Sequence, residues 1–205
     1  MGHVPTDVAP DVRSRNYAIE AHVHVPDRNA AGVLIAHGDA TSGYSLYVRS
    51  GKLVHDLNIG GQHTVVISDR AVPIGECRLG VRVRHLGQDS AGPGPALGPR
   101  EYTLLIDGEP AGSVEAQLGF VTLISWSGLD IGRDRGSPVS DYEAPFEFTG
   151  TLSRVEVTMD GDQAPRASDA RKWHGSEAAR ATGPGRSMKA REHGARANAK
   201  GRIIK

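Results

Sequence analysis

Apolar residues recur at every second position along much of this chain. Between Tyr17 and Val25 the odd positions Tyr17, Ile19, Ala21, Val23 and Val25 are apolar, while the even positions include Glu20, His22 and His24. Successive side chains of a strand point to opposite faces, so this spacing predicts a strand with one apolar and one solvated face. From Gly43 to Asn58 the pattern repeats as a hairpin. Tyr44, Leu46 and Val48 alternate with Ser45, Tyr47 and Arg49, and Leu53, His55 and Leu57 return after Ser50-Gly51. That pair suits a two-residue turn, whose positive φ angles glycine tolerates.

Further along, Leu79, Val81 and Val83 alternate with Gly80, Arg82 and Arg84. Tyr102 to Gly112 reads as a second hairpin turning at Asp107-Gly108, and more strands are predicted at 120–124, 129–132 and 151–159. The Gly/Pro-rich stretch 87–99 predicts a surface loop. Two runs, Gly32 to Ala36 and Val65-Val66-Ile67, are apolar on both parities. They call for burial on both faces or at an interface with a partner. No amphipathic helix is legible before residue 160. The fold class predicted is all-β, a two-sheet antiparallel sandwich of jelly-roll type spanning 14–159. Residues 1–13 read as a linker remnant.

Composition changes the picture at Asp160. From there to Lys205 large aliphatics are absent until Ile203 and Ile204, and 11 basic residues face 5 acidic ones. Such a segment cannot bury a core, so 160–205 is expected to be a disordered basic tail. The whole chain of 205 residues has a net formal charge of zero, so it carries no overall bias toward nucleic acid or membrane. No apolar run reaches the length of a transmembrane helix and the N-terminus shows no secretory pattern. With a single cysteine, Cys77, the expected location is cytoplasmic.

Several segments together carry a family resemblance. They are Gly32-Val33-Leu34-Ile35-Ala36-His37-Gly38 followed by Gly43 to Val48, the Tyr102–Gly112 hairpin, the motif from Leu129 through Ile131-Gly132-Arg133-Asp134-Arg135-Gly136 to Ser140, and Pro145 to Leu152. This series, over roughly residues 10 to 159, resembles the C-terminal domain of bacterial arylsulfatases, which is similar in architecture to concanavalin A-like and laminin-G sandwiches. The resemblance implies a fragment without the sulfatase catalytic domain. The Cys/Ser-x-Pro-Ser-Arg motif that yields the formylglycine nucleophile is absent: Cys77 is followed by Arg78-Leu79-Gly80-Val81. No catalytic residue carries over, no cofactor is expected, and the isolated chain is not expected to hydrolyse sulfate esters. The implied partner is an arylsulfatase catalytic domain.

The alternative is a free-standing lectin-like module that binds carbohydrate weakly. Among Tyr44, Tyr47, Trp126 and Tyr142, the residues expected to stack on sugar rings are Tyr47, opposite the apolar face of its strand, and Trp126, beside a loop. Other candidates read more simply as structure. His22 and His24 share a face but lack a visible third ligand. Asp130, Asp134 and Asp141 could offer oxygens to Ca²⁺, but Arg133 and Arg135 interleave with them and ion pairing is the simpler account. Cys77 reads as inert. Arg82, Arg84, His85 and the basic tail form no aromatic-interleaved surface for nucleic acid, the tail offering only Trp173.

Overall fold

A computed structural model of the chain describes residues 2–86, 98–120, 124–159 and 202–204. In chain order the strands are β1 (Gly2–Val4), β2 (Tyr17–Val25), β3 (Gly32–Gly38), β4 (Ser42–Arg49), β5 (Lys52–Ile59), β6 (Gln62–Ile67), β7 (Gly75–His85), β8 (Arg100–Ile106), β9 (Glu109–Ala116), β10 (Leu129–Ile131), β11 (Thr151–Met159) and β12 (Arg202–Ile204). They form two six-stranded antiparallel sheets, ordered β1-β10-β3-β4-β5-β6 and β12-β11-β2-β7-β8-β9. The all-β antiparallel sandwich predicted from the alternation is the fold.

The turns follow from local chemistry. Ser50 and Gly51 both take positive φ between β4 and β5, and Asp107 and Gly108 do the same between β8 and β9. Those angles match the twist of the flanking strands. The inward residues of both sheets meet in one core that includes Ile19, Leu34, Leu46, Leu53, Leu79, Val81 and Leu104. Each buried aliphatic of this size is worth about 1.5–3 kcal/mol relative to exposure.

One expectation is corrected here. Residues 2–13 are not a linker. β1 pairs with β10, setting His3 against Asp130, and Val12 is buried in the core. A three-residue strand is too short to show alternation, so only the pairing reveals it. Of the two alternatives for the apolar run in β3, burial on both faces is the one observed. Val33 and Ala36, with Tyr47 and Val54, face away from the sandwich core and are covered by Val139, Tyr142 and Phe146. A bulge between Val33 and Ile35 turns both Leu34 and Ile35 inward. On β6, Val66 is in the core, while Val65 and Ile67 are exposed.

Arg202–Ile204 lies antiparallel against β11 at a sheet edge. The rest of the segment expected to be a disordered tail lies outside the described residues, as does most of the 87–99 loop. No helix among the described residues is long and apolar enough to cross a membrane.

Candidate functional site

Trp126 is the most exposed large apolar residue of the described chain, at 84%. Its loop is nonetheless held firmly. The Asp39 carboxylate, just past the end of β3, accepts hydrogen bonds from the hydroxyls of Ser125 and Ser127, the two neighbours of Trp126. Thr41 adds its backbone N–H and hydroxyl to the same carboxylate. Partial burial pushes the Asp39 pKa up, but the donors Ser125, Thr41 and Ser127 outweigh it and hold the group well below the usual carboxylate range. From the other side, the Thr6 hydroxyl donates to Ser125 O at 2.7 Å. The Gly38 N–H donates to Gly128 O at 3.1 Å, continuing the β3–β10 ladder into the loop.

Trp126 forms one wall of a cavity of about 350 Å³. The stretch after β1 contributes Thr6, Asp7, Pro10, Asp11 and Arg13 to the lining, and His37 also lines it. Arg13 is not a free cation: its guanidinium grips Asp11 through Nε and Nη2, at 2.7 and 3.0 Å. That pairing raises the Arg13 pKa and lowers that of Asp11. His37 is only 3% exposed. Its ring meets Tyr44 edge-on at 5.6 Å. Neither ring nitrogen has a hydrogen-bond partner among the described residues. Burial drives its pKa down to about 4, so the imidazole is neutral at ordinary pH.

The structure separates the two residues expected to stack on sugars. Trp126 is available. Tyr47 is not: it is 4% exposed, edge-on to Tyr142 at 5.1 Å and to Phe146 at 6.1 Å, with its hydroxyl 3.2 Å from Ser140 Oγ. Its strand face does point away from the core, as the alternation implies, but the segment after β10 roofs it. Tyr142 belongs to that roof, and Tyr44 is fully buried in the core as expected.

The remaining candidates are dispersed. His22 lies 3.1 Å from both Glu20 Oε1 and Arg154 Nη2, while His24 pairs with Glu76 at 3.2 Å. The structure instead groups Glu20, His22 and Glu156 closely enough to meet at one point. Both carboxylates there already have an arginine, Arg78 near Glu20 at 3.6 Å and Arg154 on Glu156 at 3.0 Å.

The three loop aspartates do not converge. Asp130 accepts from His3 and Arg135, each at 2.9 Å, and Asp134 from Val139 N–H at 3.0 Å and Tyr142 OH at 2.7 Å. Asp141 is exposed. Of the two interleaved arginines, Arg135 pairs with Asp130, but Arg133 pairs with Glu147 at 3.3 Å. Cys77 is buried, and desolvation pushes its thiol up to about 11. His85 is buried, so it does not join Arg82 and Arg84 in a surface strip. Trp173 lies outside the described residues.

Thr6, Asp7, Asp11, Arg13, His37 and Asp39 were not singled out from the sequence. They come from segments far apart in the chain, brought together by the β1–β10–β3 pairing. Two local signals were present: two serines flank a tryptophan, and Asp39-Ala40-Thr41 fits an Asx turn.

No protein-family model matches the sequence, and no curated protein matches it. Solved structures do match in fold. Domains LG4-5 of the mouse laminin α1 chain align with a TM-score of 0.53 and 16% identity, covering 80% of this chain and 41% of that one. The CBM40 of a Ruminococcus gnavus IT-sialidase, bound to α2,3 sialyllactose, aligns with a TM-score of 0.50 and 16% identity, covering 70% and 75%. A heptameric SAP-like pentraxin from Limulus polyphemus aligns more loosely, with a TM-score of 0.44 and 18% identity, covering 70% and 63%. The chain thus spans less than two-thirds of the laminin and pentraxin chains it matches. Its fold is a sandwich of the laminin-G and concanavalin A-like kind.

Proposed function

We propose that this domain is a lectin-like module that binds carbohydrate in the pocket beside Trp126. The observation that carries the reading is an indole exposed to 84% on a loop pinned by Asp39. A large apolar ring facing water on a fixed support offers a flat face for the C–H side of a sugar, with little conformational entropy to lose on binding. The adjoining cavity adds hydrogen-bonding groups from Thr6, Asp7 and the Asp11–Arg13 pair. A fold neighbour, the Ruminococcus CBM40, holds sialyllactose, which supports a sugar-binding role on this scaffold. The test is a glycan array followed by fluorescence titration of the strongest ligand in a W173F background, where Trp126 is the only indole. Binding that shifts Trp126 emission and is lost in W126A is expected. An empty array would refute the reading.

A second reading follows the arylsulfatase resemblance, in which the domain packs against a sulfatase catalytic domain. Val65 and Ile67 favour it, exposed at 44% and 57% on the edge strand β6. Hydrogen exchange of the domain mixed with a separately expressed arylsulfatase catalytic domain tests it. Protection of β6 is the expected result, and unchanged exchange there would overturn it.

A further inference from the structure

His37 deepens the carbohydrate reading and rests on it. A histidine with both nitrogens buried and no hydrogen-bond partner among the described residues is costly, because each polar group loses its water without gaining a partner there. Packing does not require the polarity: a phenyl ring would fill the same edge-on position against Tyr44. His37 also lines the Trp126 cavity. A half-turn of the imidazole exchanges its nitrogens with its carbons in nearly the same space, so either edge of the ring can present a nitrogen. The neutral ring has one donor and one acceptor, the same pair that a sugar hydroxyl offers.

The charges around the cavity narrow the ligand. Asp7 and Asp11 are among the lining residues, and Arg13, the one arginine among the described lining residues, is already held by Asp11. Asp39 holds a third carboxylate against the serines that flank Trp126, outside the cavity lining. An acidic sugar would bring its own carboxylate or sulfate toward these carboxylates, where the arginine of the lining is already paired and Arg15 acts on Asp11 from outside the lining, and like charges at close range oppose binding. We propose that the Trp126 pocket takes a neutral sugar ring, stacked on the indole with a hydroxyl hydrogen-bonded to His37, and rejects acidic sugars.

The experiment compares matched neutral and acidic glycans, lactose against 3′-sialyllactose and a glucose oligomer against its glucuronate-capped form, on the full chain and on W126A, H37F and H37Q. The expected result is at least a tenfold preference for the neutral member of any pair that binds. H37F should bind at least tenfold more weakly while unfolding at a higher temperature, because it removes unpartnered buried nitrogens. H37Q, which keeps a donor and an acceptor, should recover part of the affinity. A merely structural histidine would change melting without changing affinity. Equal or tighter binding of acidic glycans, or unaltered affinity in H37F, would overturn this inference while leaving the Trp126 reading intact. Absence of binding by any glycan would overturn both.

Discussion

The Ser127 hydroxyl donates to Asp39 Oδ2 at 2.9 Å, joining two loops 88 positions apart in the chain. Ser125 shares the same oxygen. One carboxylate therefore fixes both residues flanking Trp126. Removing it in D39A should leave the indole present but its loop loose. Hydrogen bonds to a charged acceptor contribute about 1.5–3 kcal/mol when well sheltered, and less at a partly exposed site such as this. We expect a stability loss of about 1 kcal/mol, lower Trp126 fluorescence anisotropy in a W173F background, and weaker glycan binding. Acid should act in the same direction. The folded pKa of Asp39 lies below the ordinary aspartate value of 3.8, so its contribution is full above that value and fades as the pH falls beneath it.

The outer face of the β1–β6 sheet carries a buried polar network. Tyr142 donates to Asp134 at 2.7 Å and lies 2.9 Å from Ser45 Oγ, while Ser140 donates to Asp56 Oδ2 at 2.5 Å. These bonds fasten the segment that roofs Tyr47. Y142F keeps the ring packed against Tyr47 and Phe146 but removes the partner of Ser45 Oγ and leaves Asp134 with backbone donors alone. Such groups cost about 1–3 kcal/mol each when left unsatisfied, so a loss of about 2 kcal/mol in urea unfolding is expected. The pocket lies at the Trp126 loop, so its glycan affinity should be unchanged.

The alternation in 17–25, 43–58 and 102–112 revealed strands and hairpins because each carries both parities and its turn chemistry locally. What escaped was everything set by long-range pairing. Tyr47 sits on an outward face, and nothing near it in sequence announces that Tyr142 and Phe146 will cover that face. His37 lies just past the apolar run Gly32 to Ala36, and the role proposed for it depends on Asp7, Asp11 and Trp126 arriving from distant segments. Trp126 could be found because a tryptophan beside a loop is informative by itself. β1 was lost for the opposite reason, since three residues carry no period.

Gly80 tests the closeness of the two central strands of the second sheet. It faces Glu20 across the β2–β7 pair, and a Cβ added there would lie 2.5 Å from Ile19 O. The obstacle is backbone in a strand whose inward residues are fully buried, so it cannot swing aside. G80A should cost about 1–3 kcal/mol through forced displacement. Thermal melting checks this. An unchanged midpoint would mean that the strands part more easily than their packing implies.

The last prediction concerns acid stability and turns on His55. The ring is fully buried, stacked on Tyr102 at 5.3 Å and on Tyr44 at 6.4 Å, and neither nitrogen has a partner among the described residues. Desolvation lowers its pKa to about 3, and that of His37 to about 4, against an ordinary histidine value of 6.5. Between those values the unfolded chain binds protons that the folded chain refuses, so unfolding is favoured as the pH falls. Stability from this source is complete above pH 6.5 and drains steadily down to about pH 3. Each unit of depression corresponds to about 1.4 kcal/mol, so the two histidines together remove several kcal/mol by pH 4. Urea unfolding at pH 7.5 and 4.5 measures the loss. H55F retains the aromatic stack but has no proton to bind, so its stability should fall less between the two pH values. Parallel pH profiles for H55F and the unmodified chain would show that His55 is not what limits the fold in acid.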